Sequence, residues 1–218
     1  MELNDIQNLQ GEWKTGWALG LATSESELPG TPHAHENCGK ILNGKLTCCC
    51  SKEKWITHYD RIGALMHLCK YHQERQYCEN IACVVVDFLK TKSKGQTPNL
   101  SAIIPVPPSG ITTRIFQPVD EIVKIVGEKL NLTVDYDYLL KKRPNPQLKS
   151  IKDPVERKKI LVGAFGVKDQ RYNGKKVLLF DDLYDTGATL NEITKTLKDL
   201  GHVNNVYVLT ITKTRSKK

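Results

Sequence analysis

The sequence lacks any long apolar segment. No stretch among its 218 residues approaches the ~20 consecutive apolar residues that a membrane-spanning helix requires. The first residues are acidic and polar, which is not the basic-then-apolar pattern of a signal peptide. Aromatic residues make up only 7% and do not alternate with basic residues, as in platforms that stack single-stranded nucleic acid. The sequence therefore predicts a cytoplasmic protein with no membrane partner.

Several motifs with defined chemistry are also missing. The sequence has no Gly-x-x-x-x-Gly-Lys phosphate loop, no serine nucleophile between two glycines, and no Cys-x-x-Cys pair. Its seven cysteines, an odd number, argue against a closed disulfide framework and for reduced thiols. His33, His35, Cys38 and the triplet Cys48–Cys50 could hold zinc, but without paired spacing the support for a zinc ion is thin.

The chain does have an excess of positive charge. It contains 32 Lys and Arg against 24 Asp and Glu, a formal net charge of +8. Its 39% of hydrophobic residues is ordinary for a globular chain and excludes a wholly disordered one. The charge favours an anionic partner, either a phosphorylated small molecule or a nucleic acid, and does not distinguish between them.

The apolar pattern divides the chain near residue 57. Residues 1–57 hold all three tryptophans and show little periodicity, so we interpret them as a strand- and loop-rich hood or accessory region. The rest alternates in the order helix 60–90, strand 100–106, helix 119–130, strand 133–140, strand 177–180, helix 190–200 and strand 205–212. We expect Gly201 to end the last helix. The alternation predicts an α/β domain over residues 58–218, with a parallel sheet flanked by helices.

The most informative segment begins with an apolar run followed by two acids. Val177 to Phe180 has the continuous apolar character of a parallel strand that is covered on both faces. Asp181 and Asp182 come next, at the carboxyl end, where ligands bind in open α/β sheets. Two ionised carboxylates can accept hydrogen bonds from vicinal sugar hydroxyls. This strand end is therefore our candidate for a ligand site.

A turn of small residues follows the acids and opens a helix. Gly187 and Ala188 allow an anion to approach the backbone closely, and the first helical turn offers free N–H groups and the positive end of its dipole. Thr186 and Thr189 add hydroxyl donors. Together with the acids, the turn suits a ribose 5-phosphate.

Two other interpretations of these residues stay open. Asp185-Thr186-Gly187 also matches the triplet of aspartic proteases, although helical spacing follows it here instead of a second strand. Alternatively, the acids could be incidental to a buried strand and turn. Adjacent carboxylates at the end of a buried strand are costly unless polar groups meet them, which weighs against that interpretation.

The segment Val177 to Thr189 resembles the phosphoribosyl-pyrophosphate (PRPP) signature of type I phosphoribosyltransferases. Residues from about 58 to 215 are similar to the ComF-type, amidophosphoribosyltransferase-like branch at Lys70-Tyr71, Ile104–Pro107, Arg114-x-Phe116, Gln147, Glu156-Arg157 and Gly163–Phe165. The chain departs from that branch at Gln117 and Ile160. Asp185 is a further departure and instead resembles the Asp-Thr-Gly of purine-salvage enzymes. The departures leave the acceptor substrate open.

The resemblance implies transfer of ribose 5-phosphate from PRPP to a nitrogen nucleophile, with release of pyrophosphate. It implies that Asp181 and Asp182 contact the ribose hydroxyls and orient Mg²⁺, and that Asp185 acts as a base near the acceptor. The implied 5-phosphate loop is Asp185, Thr186, Gly187, Ala188 and Thr189. The implied pyrophosphate loop is Val106, Pro107, Pro108, Ser109 and Gly110.

The resemblance also implies features outside this junction. Basic residues within 141–159 are expected to close over the leaving group, and we expect a homo-oligomer. An alternative is a non-catalytic module that binds PRPP or a nucleotide, or that assists DNA uptake, to which the name ComF refers. That alternative would make nucleic acid a partner.

Overall fold

The computed structural model describes residues 6–23, 25–27, 40–42, 45–48, 56–91, 99–108, 115–143 and 153–215. The strands in chain order are β1 (Gln7–Leu9), β2 (Thr15–Ala18), β3 (Glu25–Glu27), β4 (Lys40–Leu42), β5 (Lys45–Cys48), β6 (Ile56–His58), β7 (Ala102–Pro105), β8 (Leu139–Lys141), β9 (Phe165–Val167), β10 (Lys176–Tyr184) and β11 (Asn205–Lys213). The helices are α1 (Arg61–Tyr71), α2 (Gln76–Lys90), α3 (Pro118–Leu130), α4 (Pro154–Leu161) and α5 (Ala188–Asp199). None of these helices is both long enough and apolar enough to span a bilayer.

A five-stranded sheet in the order β1-β2-β11-β10-β7 forms the centre of the fold. Strands β2, β11, β10 and β7 run parallel, and only β1 is antiparallel to its neighbour. The sheet is flanked by helices, which confirms the predicted α/β class. Because β7 and β11 lie on either side of β10, the apolar run of β10 is buried at the centre of the sheet, as its sequence predicts.

The N-terminal segment contributes to two sheets. Strands β1 and β2 extend the central sheet, where the Trp17 ring stacks on Tyr207 with centroids 6.5 Å apart. Strands β3 to β6 form a separate antiparallel sheet in the order β3-β6-β5-β4. The division at residue 57 stays a prediction, but residues 7–18 lie in the central sheet and not in a hood. Apolar alternation over such short strands does not indicate which sheet they join.

Two cores cover the two faces of the central sheet. On one face, Leu178 and Phe180 pack with residues from α1, α2 and α3. On the other face, Val177 and Leu179 pack with α5 and with the β8–β9 hairpin. The alternation follows from the two-residue period of a strand. It also fixes the direction of the residues that follow, since Asp182 continues the α1 face and Asp181 the α5 face.

Three predicted elements differ in the structure. Helix 60–90 is two helices, α1 and α2, because Gln73 adopts a left-handed conformation with φ of 57° between them. The 133–140 strand is reduced to a bridge at Val134 and the start of β8, since the Asp135 carboxylate accepts backbone N–H bonds from Asp137 and Tyr138 and turns the chain. His202 and not Gly201 takes the left-handed position after α5, with φ of 50°.

Gly201 is needed for a different reason. A Cβ atom there would lie 2.4 Å from the Tyr138 hydroxyl and 2.7 Å from the Leu197 carbonyl oxygen. The glycine therefore lets the end of α5 approach the β8 region closely, which packs this helix against the sheet.

Candidate functional site

Strand β10 carries the two acids beyond the end of its neighbour. Strand β7 pairs with β10 only as far as Pro105, which lies opposite Phe180. Strand β11 continues alongside as far as Lys213, opposite Tyr184, so the acids remain in strand conformation. The sequence predicted the acids after the strand, and the structure places them within its last four residues. The missing neighbour opens this edge of the sheet at the carboxyl ends of the parallel strands.

Asp182 forms an ion pair with Lys70. The Lys70 ammonium, in the last turn of α1, donates a hydrogen bond to Asp182 Oδ2, and the two side chains are 18% and 19% exposed. Burial alone would lower the pKa of Lys70, but the charge of Asp182 and this hydrogen bond outweigh it and raise that pKa. Thr212 of β11 holds the backbone of Asp182 by donating to its carbonyl oxygen at 3.0 Å.

Asp181 has a different environment. Its side chain is half-buried, and its Oδ1 accepts a 2.8 Å hydrogen bond from the backbone N–H of Asp182. Burial and the negative charge of Asp182 raise the pKa of Asp181 to about 8, against the opposing effects of that hydrogen bond and of Lys70. One carboxyl thus has a lysine partner, and the pKa of the other is raised to about 8.

The turn after β10 has the conformation that its glycine predicts. Gly187 is the N-cap of α5 with φ of 76°, and a Cβ atom there would lie 2.9 Å from two atoms of the Tyr184 side chain. Thr186 Oγ1 accepts from the Ala188 N–H at 3.4 Å. The N–H groups of the first helical turn have no partner within their own helix. They lie at the N-terminus of α5, the positive end of the helix macrodipole, which attracts anions. Asp185 to Thr189 therefore form a turn that can hold a phosphate.

Asp185 lies where β10 and β11 end together. Its side chain is exposed, and its Oδ1 accepts a 3.1 Å hydrogen bond from Thr214 Oγ1. The Lys213 ammonium sits 5.7 Å from the centre of the Tyr184 ring. Asp185 is therefore in the same turn as Thr186 to Thr189, the rest of the predicted phosphate loop, and its side chain is accessible to a ligand.

The predicted pyrophosphate loop is described in part. Val106, Pro107 and Pro108 follow β7, and the Val106 N–H donates to the Phe180 carbonyl oxygen at 2.9 Å, so they begin beside the acids. The Lys141 ammonium donates to the Pro108 carbonyl oxygen at 3.1 Å, and burial lowers the pKa of Lys141. Ser109 and Gly110 lie outside the described residues, as do residues 144–152 of the predicted basic lid.

Two features of this site are not predicted from the sequence. Lys70 is identified only through the family resemblance, and its ion pair with Asp182 is not predicted. The second feature is a cavity beside that pair, lined by Tyr59, His67 and Tyr71 among others. The available signals were a lysine on an otherwise apolar helix face and three aromatic or imidazole rings close together in sequence.

The acid pair fits the Mg²⁺ that the resemblance implies. Mg²⁺ keeps several waters and is bound by one or two carboxylates together with substrate phosphate oxygens, rather than by a protein cage. No group of three or more His, Cys, Asp or Glu side chains converges within the described ranges. The predicted zinc candidates His33, His35, Cys38, Cys49 and Cys50 lie outside those ranges. Cys69 of α1 and Cys78 of α2 are buried, and Cys83 of α2 is exposed.

The chain is similar to a competence protein. No protein-family model matches it. Over 118 residues it is 32% identical to the competence protein ComFC of Streptococcus pneumoniae (strain ATCC BAA-255 / R6). The match covers 54% of this chain and half of the length of that relative. The resemblance to ComF-type proteins that the sequence motifs indicated is confirmed by this relative.

Solved phosphoribosyltransferase structures are loosely similar to the chain. A hypoxanthine phosphoribosyltransferase from Staphylococcus aureus aligns with a TM-score of 0.39 and 15% identity, over 62% of this chain and 64% of that one. An adenine phosphoribosyltransferase from Trypanosoma brucei, in complex with AMP, pyrophosphate and ribose 5-phosphate, aligns with a TM-score of 0.42 and 12% identity, over 91% and 83%. The central sheet, with four parallel strands and helices on its faces, has the predicted α/β class.

Proposed function

We propose that this protein is a phosphoribosyltransferase that moves ribose 5-phosphate from PRPP to a nitrogen nucleophile and releases pyrophosphate. The observation that carries the proposal is the path of the chain from Asp181 to Thr189. Two carboxylates at the open end of a parallel strand lead, within a few residues, into a glycine turn at the N-terminus of α5. A sugar with hydroxyls at one end and a phosphate at the other matches that order of groups.

The 5-phosphate would bind in the Asp185–Thr189 turn. Backbone N–H groups at the start of α5 donate to its oxygens, and the left-handed Gly187 allows the close approach. Thr186 and Thr189 can add hydroxyl donors. Binding by backbone groups fixes the sugar without any change of protonation in the protein.

The ribose hydroxyls would meet the acid pair. Asp181 and Asp182 accept from the two hydroxyls, and Lys70 holds the Asp182 side chain in position. Bound Mg²⁺ would neutralise the charge of the pyrophosphate. Departure of pyrophosphate leaves positive charge on the ribosyl C1, as in other glycosyl transfers, and nearby carboxylates stabilise it electrostatically. Because little covalent work falls to the protein, positioning supplies most of the acceleration.

The remaining roles follow from position around the strand ends. The Val106–Pro108 segment, with Ser109 and Gly110, would face the pyrophosphate, and Lys141 contacts this segment through its hydrogen bond to Pro108. Asp185, exposed at the end of β10, would accept the proton of the acceptor nitrogen. Asp181 and Asp182 do not form an acid/base pair of the glycosidase type, since adjacent residues cannot flank the breaking bond from opposite sides.

Release of pyrophosphate tests this function directly. The full chain is mixed with PRPP and Mg²⁺, and pyrophosphate is measured with a panel of nucleobases, with ammonium ions and with glutamine. Acceptor-dependent release that is lost in Asp185→Asn is the expected result. If no acceptor supports release although PRPP binds, the protein is a binding module and not a transferase.

That binding module is the second candidate function. The net charge of +8 and the similarity to a competence protein favour it. It predicts binding of single-stranded DNA with an affinity that falls steeply as salt rises. Fluorescence anisotropy of a labelled oligonucleotide between about 50 and 200 mM salt measures that dependence. Tight, salt-dependent DNA binding without pyrophosphate release would favour this function over transfer.

A further inference from the structure

We propose that Tyr184 is a positioning residue that joins the N-terminal hairpin, residues 7–18, to the Asp185–Thr189 turn and holds this turn in shape for a phosphate. The inference rests on the proposed function in one respect, since it takes the bound group to be the 5-phosphate of the ribosyl substrate. As a statement about the shape of the turn, it rests on contacts within the chain alone.

The hairpin is built around the ring of Trp13. Strands β1 and β2 pair with Leu9 opposite Gly16, and the Trp13 indole N–H donates to the Leu9 carbonyl oxygen at 3.2 Å. A Cβ atom on Gly11 or on Gly16 would collide with the indole. Because these two residues have no side chain, the ring can lie directly against the backbone of the hairpin, where it is only 7% exposed. The hairpin therefore holds Trp13 in one place.

Trp13 and Tyr184 meet edge to face. Their ring centroids are 6.3 Å apart and their planes are at 87°, an arrangement that aromatic pairs favour. The Tyr184 hydroxyl also donates to the Gln10 carbonyl oxygen of the hairpin at 3.3 Å. At its backbone, the Tyr184 carbonyl oxygen accepts the Thr214 N–H at 2.8 Å. Tyr184 is thus held at its ring by the hairpin and at its backbone by the residue that follows β11.

The Tyr184 ring packs against the backbone of Gly187. A Cβ atom on Gly187 would lie 2.9 Å from both Cε2 and the hydroxyl oxygen of Tyr184. Gly187 is buried and has the left-handed φ of 76° that starts α5. Because glycine adopts many backbone conformations, its own identity does not fix this one. We infer that the neighbouring ring limits the alternatives.

A second link joins the hairpin to the start of α5. The Glu12 N–H donates to Asn191 Oδ1 at 2.8 Å, and the Asn191 N–H donates to the Gly187 carbonyl oxygen, also at 2.8 Å. Tyr184 directly precedes the turn, and Asn191 follows it by two residues. The hairpin therefore contacts the chain on both sides of the turn.

These contacts should matter for one end of the substrate only. A turn that is already in its binding conformation loses little freedom when a phosphate binds, which favours affinity. The Val106–Pro108 segment, proposed to face the pyrophosphate, follows β7, and β7 and the hairpin lie on opposite sides of β10 in the sheet. Loss of the contacts should therefore weaken binding of ribose 5-phosphate and spare that of pyrophosphate.

The first test is calorimetric binding of ribose 5-phosphate and, separately, of pyrophosphate with Mg²⁺ to the full chain. Tyr184→Leu, which removes the ring, should weaken ribose 5-phosphate binding about tenfold and change pyrophosphate binding less than about twofold. Tyr184→Phe keeps the ring and should stay within about threefold of the wild type for both. Trp13→Leu, within the hairpin, should weaken ribose 5-phosphate binding about fivefold.

The matched control is Tyr172→Leu. It also removes a tyrosine ring, one that is buried against Tyr138, with centroids 4.7 Å apart. It should lower the free energy of unfolding and leave both affinities within about twofold of the wild type. Thermal unfolding shows that each variant is folded before affinities are compared.

The second test needs no ligand. Hydrogen exchange of the Asn191 amide, which donates to Gly187, reports on the turn itself. Exchange should be about tenfold faster in Tyr184→Leu than in the wild type or in Tyr172→Leu, and close to the wild-type rate in Tyr184→Phe.

The outcomes separate this inference from the proposed function. Unchanged exchange at Asn191 in folded Tyr184→Leu would overturn the inference, as would unchanged ribose 5-phosphate affinity or an equal loss of affinity for both ligands. If the wild type binds no ribose 5-phosphate, the proposed function fails at its phosphate site. Hydrogen exchange then decides by itself whether Tyr184 holds the turn.

Discussion

Lys70 and Asp182 are 112 residues apart in the chain, and the ammonium of the one is hydrogen-bonded to the carboxylate of the other. The contact joins the last turn of α1 to the open end of β10. It satisfies a charge that the central strand would otherwise present without a counter-ion. It also makes the two acids unequal, because Asp182 has a lysine partner, while burial and the charge of Asp182 raise the pKa of Asp181.

Removing the lysine should weaken both folding and ligand binding. In Lys70→Met the apolar stem is kept and the charge is lost, which leaves Asp182 largely buried without its cation. We expect the free energy of unfolding to fall by about 1–3 kcal/mol, and PRPP binding to weaken because Asp182 loses its orientation. Urea unfolding and calorimetry measure the two effects. Lys90→Met, at an exposed position in the last turn of α2, is the control and should change neither.

The free energy of unfolding should decrease as pH rises, because the Asp181 carboxyl keeps its proton in the folded state. The folded state keeps the proton of this carboxyl up to about pH 8, while the unfolded chain loses it near its ordinary pKa of about 3.9. The folded state therefore binds more protons between these values, and the free energy of unfolding decreases there by at most about 1.4 kcal/mol per pH unit. Asp181→Asn removes this dependence.

The Asn variant should thus be more stable than the wild type at pH 7.5, and the difference should shrink towards pH 4. Urea unfolding at several pH values measures it. A variant that is less stable than the wild type at neutral pH, or a difference that does not vary with pH, would show that the carboxyl is not protonated in the folded protein.

Gly187 should be required for phosphate binding as well as for stability. Alanine at φ of 76° costs about 1–2 kcal/mol, and its Cβ would also meet the Tyr184 ring. We expect Gly187→Ala to lose PRPP affinity at least tenfold. Gly174→Ala is a matched control, since Gly174 has φ of 68° with nothing within 4 Å of a Cβ. It should lose similar stability with unchanged affinity, and equal loss of affinity in both variants would point to a general effect of unfolding.

Asp185 should affect transfer more than binding. Asp185→Asn keeps an oxygen for the hydrogen bond from Thr214 but removes the base. We expect PRPP affinity within about twofold of the wild type and a rate of pyrophosphate release lower by about 10²–10⁴-fold. Thr214→Val, which removes the hydrogen-bond donor and leaves the carboxylate, should change the rate far less. A loss of affinity as large as the loss of rate would place Asp185 in binding instead.

The sequence is sufficient to predict the β10–α5 junction. A continuous apolar run, two acids and a glycine followed by helical spacing are local signals, and together they predict a buried strand, a turn and a helix. Val177 to Phe180 forms the buried centre of the sheet, and Gly187 takes the left-handed conformation. The strand continues to Tyr184 because β11 continues beside it, which the residues of β10 alone do not reveal.

Features that depend on contacts between distant segments could not be predicted in the same way. Strand β2 has an ordinary short-strand pattern, and nothing in it indicates that it pairs with β11 near the other end of the chain. The pairing of Lys70 with Asp182 and the cavity around His67 depend on how α1 packs against the sheet. Helical periodicity identifies the apolar face of α1 but not the partner of a single lysine on it.

Calorimetric titration of PRPP in the presence of Mg²⁺ is the most direct test of the assignment of the ribose site to Asp181 and Asp182. The titration compares the wild-type chain with the double variant Asp181→Asn/Asp182→Asn, after thermal unfolding has shown that both are folded. We expect the wild type to bind PRPP and the double variant to show no measurable binding. Binding of the double variant with wild-type affinity would contradict the assignment of the ribose site to these two acids.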